Sequence, residues 1–358
     1  MKQTYRQPYT HKPTGFSIIE FLVASALSII VLIAVGSGYF AARKVNDAAS
    51  GRLETQQDIR NAANMIVRDS KMAGSFGCFN MSNASTTITQ NASASSDVAK
   101  GLKIISGSNT FSEGVKSVAQ ASVSSIGITD FTASSDALIF QYGVGSPRVS
   151  ALVTGTTGSV TIDTSNDSES TAFAANSPIA VSSCNTLDQV NVGSSSGNAS
   201  AKVLSGLNLN TNHNQAELSV MRYLVNVYVV GTPTGGDLGF YRFQLGPDGS
   251  WQGPQLLVKG ASRMSVLYGY VNGCPGVDTT VASSAQETFT FFNSLQATSA
   301  TRPLAMIRLI LNGNSIAATG KTKTASGSST VNESAGNVYV YNIDANIRGG
   351  NRCADRSR

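Results

Sequence analysis

Residues Gly15 to Ile30 read G-F-S-I-I-E-F-L-V-A-S-A-L-S-I-I, an apolar stretch with a single carboxylate, Glu20, just inside its edge. From Phe21 to Phe40 no side chain is charged, and these twenty residues, at about 1.5 Å each, make a helix of about 30 Å, the thickness of a bilayer's hydrocarbon layer. Lys2, Arg6 and Lys12 precede it in a fifteen-residue leader that holds no acid. That positive bias keeps the N-terminus cytoplasmic and sends the chain beyond about residue 41 across the membrane.

Three simpler assignments fit this segment less well. A secretory signal peptide has a shorter apolar core and then a small-residue cleavage site; Ala24-Ser25-Ala26 comes too early and Gly36-Ser37-Gly38 too late. A plain signal anchor accounts for the span but not for Glu20. A helix buried in a soluble core rarely carries a basic, acid-free leader. An ionised carboxylate at bilayer depth costs about 2.5–3.5 kcal/mol even on lenient insertion scales, so it calls for a partner. Cleavage after Gly15 supplies one, because the new α-amino group of Phe16 is a cation at neutral pH. Glu20 lies four residues on, along the same helix face, and the Glu20 of one subunit can equally neutralise the Phe16 amine of the next.

A basic leader ending in Gly15, then Phe16, then Glu20 as the fifth residue after the break, then about twenty apolar residues, resembles the class III signal of type IV prepilins. The resemblance implies that a membrane-embedded prepilin peptidase cuts after Gly15 and N-methylates Phe16. It implies further that Glu20 pairs with an N-terminal amine during assembly, and that the helix leaves lipid for the filament core.

Composition agrees with an exported product. Of 358 residues, enough for one large or two small domains, only 13% are charged. Ser, Thr, Asn, Gly and Ala crowd the middle of the chain, as on exported β-rich surfaces. The formal charge of +5 drops to +2 without the leader, 23 basic against 21 acidic residues, so charge gives no strong case for a nucleic-acid partner.

Helical spacing continues beyond the apolar span through Val45, Ala49, Leu53, Ile59, Ala63, Ile66 and Val67, with Gly74 as the stop. Residues 16 to 73 thus read as one helix of about 87 Å, with Gly36, Gly38 and Gly51 as points where it can bend. Beyond it the pattern predicts strands over Ala137 to Tyr142, around Val181, and over Arg222 to Val230, Leu238 to Gln244, Leu256 to Tyr268, Leu304 to Leu311 and Val338 to Ile343. The loop G-T-P-T-G-G-D before Leu238 predicts an antiparallel hairpin. Residues 80 to 135 and 145 to 215, poor in apolar side chains, read as long loops with scattered strands. The expected fold class is α+β: a leader over 1–15, a transmembrane or filament-core helix over 16–40, an amphipathic helix over 41–73 and an antiparallel β-rich head over 74–358.

Within the pilin-like family, the run F-G-C at Cys78, the segment G-F-Y-R-F-Q, the stretch L-L-V-K-G-A-S-R-M-S-V-L-Y-G-Y and the later P-L-A-M-I-R-L-I-L-N are similar to the PilW-type minor pilins, and more distantly to the J-type pseudopilins of type II secretion. That resemblance implies a low-copy structural subunit at the pilus tip that primes assembly. Its implied partners are the prepilin peptidase, the other minor pilins, the major pilin and the inner-membrane assembly platform. No cofactor, small-molecule substrate or catalytic turnover is expected. Rivals from other classes are a tip receptor for DNA or a surface and an anchored hydrolase.

Four cysteines, Cys78, Cys184, Cys274 and Cys353, lie far apart on the exported side, where disulfides form. Three pairings are open; joining neighbours in sequence order pairs Cys78 with Cys184 and Cys274 with Cys353. Zinc is disfavoured, since no close C-x₂₋₄-C pair exists and the leaderless chain keeps one histidine, His213, read as a surface residue. Gly193-Ser194-Ser195-Ser196-Gly197 has the letters of a nucleophile elbow but no apolar strand before it and no later histidine. Gly320-Lys321-Thr322 lacks the first glycine of a P-loop, Ser315 standing in its place. Asp163, Asp167 and Glu169 alternate as calcium ligands do, without the glycine and distal Glu of such loops, and read first as a solvated acidic loop. The tail Arg348, Arg352, Arg356 and Arg358 has no interleaved aromatics and reads as a solvated terminus rather than a DNA contact.

Overall fold

A computed structural model describes residue 15 and residues 17–81, 87–88, 114–145, 147–165, 173–198, 200–271, 289–296, 304–314 and 338–347. The chain divides into two compact units, Met1–Glu54 and Thr55–Arg358. The fold is α+β, one long N-terminal helix, α1 (Ile18–Met72), followed by a large antiparallel β-rich region. The helix runs through Gly36, Gly38 and Gly51 without a break.

In the first unit α1 exposes its large apolar side chains, among them Phe21, Leu32 and Ile33 at 69%, 69% and 66%. An 18-residue window has a mean hydropathy of 2.8 and none of it is buried, so by length and composition the helix can cross a membrane. In the second unit the last turns bury Ile59, Ala62, Ile66, Asp69, Ser70 and Ala73, a spacing of three and four that defines one face. Val45 and Leu53, which the helical pattern puts in the same series, stay 70% and 63% exposed.

The first strands are β1 (Ser75–Phe76), β2 (Phe79–Asn80), β3 (Thr87–Ile88), β4 (Val115–Val118), β5 (Phe131–Ala133) and β6 (Ala137–Val144). Next come β7 (Arg148–Val153), β8 (Gly155–Asp163), β9 (Pro178–Ser183), β10 (Thr186–Asn191), β11 (Ser194–Gly197) and β12 (Ala201–Leu209). The last are β13 (Ser219–Pro233), β14 (Gly239–Leu245), β15 (Trp251–Lys259), β16 (Ala261–Val271), β17 (Phe289–Phe292), β18 (Leu304–Asn314) and β19 (Val338–Asn346). Every described pairing is antiparallel except β10 with β3.

The 15-residue β13 organises the largest sheet. Arg222 faces Val144 of β6 and Ile179 of β9, while Asn226 faces Phe140 of β6 and Gln244 of β14. One edge of β13 therefore takes β9 and then β14, and the other takes β6 and then β5. Its side chains alternate between two cores, as strand geometry requires. Leu224, Tyr228 and Val230 face the core that holds Ile59, Ala62 and Ile66 of α1 and Leu309 and Ile343 of the sheet β17-β16-β18-β19. Tyr223, Val225, Val227 and Val229 face a second core with Phe76, Phe79 and the 3₁₀ turn Gln120–Ile126.

Two expectations are corrected here. Leu256 to Tyr268 is not one strand, because Gly260, at φ 78°, breaks it into β15 and β16. The span 145–215 is not mainly loop. It supplies β7 to β12, of which β11-β12-β8-β7 form a sheet over a core of Val160, Ile162, Leu204, Leu207 and Leu209. Alternation with Ser and Thr lowers the average apolarity of these strands while leaving one face apolar.

The helix stops at an αL glycine, Gly74 at φ 73°, whose N–H donates to the carbonyl of Gln141 at 2.9 Å. Gly114 crosses this junction at φ 76°, and a Cβ there would lie 1.9 Å from the Gly74 nitrogen. Gly114→Ala therefore strains its own backbone and collides with a neighbouring main chain. It should cost at least about 3 kcal/mol, read as a lowered denaturant midpoint; a midpoint equal to wild type would contradict this packing.

Candidate functional site

Three places gather functional chemistry in the described residues, beginning with the first turn of α1. Gly15 is exposed, Phe16 lies outside the described residues, and the Ser17 N–H donates to Glu20 Oε2 at 3.1 Å. The Glu20 carboxylate is thus turned back to the start of the helix and makes one of the two bonds of a capping box.

The second place is Asp69, near the end of the same helix and 4% exposed. Its Oδ1 accepts from Tyr142 Oη at 2.9 Å, and its Oδ2 accepts from Asn226 Nδ2 at 2.8 Å and from Tyr228 Oη. Arg242 stands 4.0 Å from Oδ2 and donates through Nη2 to Asn226 Oδ1 at 2.9 Å. Strands β6, β13 and β14 thus each send a side chain to one carboxylate of α1. Burial first, and the Asp69 charge second, push both phenols far above their ordinary range, so they remain protonated donors. Ser70 Oγ adds a bond to the carbonyl of Asn346 at 3.0 Å. Periodicity placed Ile59 and Ile66 on an apolar face without remarking on Asp69, which the same spacing puts there. An acid within an apolar helix face was the available signal.

The third place is around Cys78. Cys78 and Cys184 form a disulfide across 106 positions, joining the β1–β2 hairpin to the end of β9. Cys274 and Cys353 lie outside the described residues. Beside this bridge His213 is buried, contrary to the surface position expected for it: Nε2 lies 3.1 Å from Asp188 Oδ2 and Nδ1 lies 3.4 Å from Ser183 Oγ. The ring shares Asp188 Oδ2 with the Asn210 N–H, so a fully buried carboxylate holds it inside. Ser183, Asp188 and His213 have the letters of a hydrolytic triad. At 2%, 0% and 9% exposure they are closed to substrate and serve as a buried hydrogen-bond network.

Other candidates do not assemble. Ser195 sits in β11, paired to Leu204 of β12, and not on a strand-to-helix turn. Asp163 Oδ1 accepts from the Ser165 N–H and Oγ, bonds that hold its carboxyl below the usual range; Asp167 and Glu169 lie outside the described residues. Gly320 to Thr322 and the arginines from Arg348 onward also lie outside them.

No protein-family model, curated protein or solved structure matches the chain.

Proposed function

We propose that this chain is a minor pilin: a non-enzymatic structural subunit cut after Gly15, N-methylated on Phe16 and built into a type IV pilus through α1, where it primes assembly at the tip. Before assembly it spans the inner membrane once with the β-rich region in the periplasm, and afterwards it stands on the cell surface. The supporting observation is Glu20, a carboxylate folded back to the Ser17 N–H at the head of a helix whose membrane-length apolar window is wholly unburied. That helix suits lipid first and a packed bundle of like helices later. Asp69 and its partners fit the same role, since a subunit held by its helix needs that helix fastened to its sheets.

Mass spectrometry of the protein recovered from cells should give a mature chain beginning at N-methylated Phe16. A chain that still begins at Met1, or that starts well beyond Phe16, defeats the proposal. Glu20→Ala should leave membrane insertion intact and reduce recovery in sheared filaments by about tenfold or more, the loss of a charge pair formed away from water. Normal recovery would remove the pairing role.

A further inference from the structure

A cleft of about 550 Å³ opens beside the start of β15, within the size range of small-ligand sites. Phe131, Phe243 and Trp251 give it aromatic walls, and Asp130 and Asp248 line it with carboxylates. The rings are fixed. Phe131 packs edge-on against Phe243 with centroids 5.1 Å apart, and Trp251 Nε1 donates to the carbonyl of Ile126 at 2.8 Å. The Asp130 backbone and the Asp248 carboxylate are fixed too. Asp130 sits at φ 56°, its carbonyl accepting from the Thr234 N–H at 2.8 Å. Asp248 accepts from the Ser250 N–H at 3.1 Å, and these Ser250 bonds hold it below the ordinary carboxylate range, so it keeps its charge.

Among the described residues no Lys, Arg or His lines the cleft and Asp130 has no cationic partner. An anionic ligand is therefore repelled. A neutral sugar needs donors as well as acceptors. Here the Gly127 and Gly249 N–H groups are already bonded to Ser124 and Gly246 and the Ser250 hydroxyl is turned to Asp248, so among the lining side chains only the Thr129 hydroxyl is left to donate. What the cleft offers is negative charge beside aromatic side chains, the combination that holds organic cations.

We propose that this cleft binds an organic cation, an alkylammonium or guanidinium group, between its aromatic walls and the Asp130 and Asp248 carboxylates. The chemistry is shared by lysine and arginine side chains of a partner protein and by the choline headgroup of a lipid. The site stands independently of the pilin assignment, because none of its residues belongs to α1.

The chain's one tryptophan is Trp251, so its fluorescence reports on this cleft alone. The full-length protein in an uncharged maltoside detergent is titrated at constant ionic strength with choline, butylammonium and ethylguanidinium. The neutral isostere 3,3-dimethylbutanol and the anion butyrate are run beside them, and calorimetry on the same samples covers binding that leaves the fluorescence unchanged. A saturable response to at least one cation and to neither control is expected. Preference for choline assigns a lipid source, and preference for butylammonium or ethylguanidinium assigns a protein side chain. The Asp130→Asn, Asp248→Asn double variant keeps a residue type that tolerates positive φ and the turn-forming acceptor. It should retain the wild-type denaturation midpoint and lose at least about tenfold in affinity, or ~1.4 kcal/mol. An equal response to the neutral isostere, binding unchanged in the double variant, or no binding of any cation overturns the proposal.

Discussion

Asp69→Ala should be the most damaging single substitution in the second unit, lowering stability by about 3–5 kcal/mol, because it removes the acceptor on which three buried donors converge and the carboxylate beside half-buried Arg242. Arg242, 17% exposed, would lose the one carboxylate it pairs with among the described residues, and the Tyr142 and Tyr228 hydroxyls would lose their acceptor. Asp69→Asn, which keeps an acceptor oxygen, should lose less. Chemical denaturation followed by Trp251 fluorescence measures both, and a change below about 0.5 kcal/mol for the alanine variant would show that the network carries no net stability. The pH dependence gives a second reading. Both phenols titrate above their ordinary 10.0 in the folded protein, so above that pH the folded state holds more protons than the unfolded one. Stability is therefore whole below about pH 10 and falls as pH rises through the shifted values. Removing the Asp69 charge relaxes part of the shift, so the alkaline decline should be shallower in Asp69→Asn.

Loss of the Cys78–Cys184 bridge comes next. Its closure spans 106 positions, and the chain-entropy relation for a loop of that length gives about 4.7 kcal/mol, within a usual observed range of about 2–5. The double variant Cys78→Ser, Cys184→Ser should accordingly unfold at lower denaturant. Hydrogen exchange should quicken first in the β1–β2 hairpin, whose Phe76 carbonyl accepts from Ser182 Oγ at 2.7 Å. Exchange in that hairpin equal to wild type would contradict the assigned role of the bridge.

The legible parts of this chain were those where a pattern is local. The apolar helix is visible from Phe21 to Phe40, and the hairpin joining β13 to β14 from its Thr-Pro-Thr-Gly-Gly turn. Strands rich in branched residues, such as Arg222 to Val230, declared themselves although their ends extended further, to Ser219 and Pro233. The sheet of β7, β8, β11 and β12 was hidden because serine and threonine occupy its outer positions and dilute the average. His213 was misplaced for a different reason. One histidine in a polar loop carries no periodic signal, and its burial goes with a bond to Asp188, 25 positions away in β10. The cleft beside Trp251 draws residues from two distant segments, so no window of sequence contains it.

The partners of Asp69 have a consequence for the order of synthesis. Asn226 and Tyr228 lie 157 and 159 positions downstream of it, so at about 5–20 residues per second the ribosome needs roughly 8–30 s to deliver them. Until then the stripe of Ile59, Ala62 and Ile66 has no cover from β13, and a newborn chain must be shielded from its neighbours over that interval. The delay is set by topology and would persist however strong the finished contacts are.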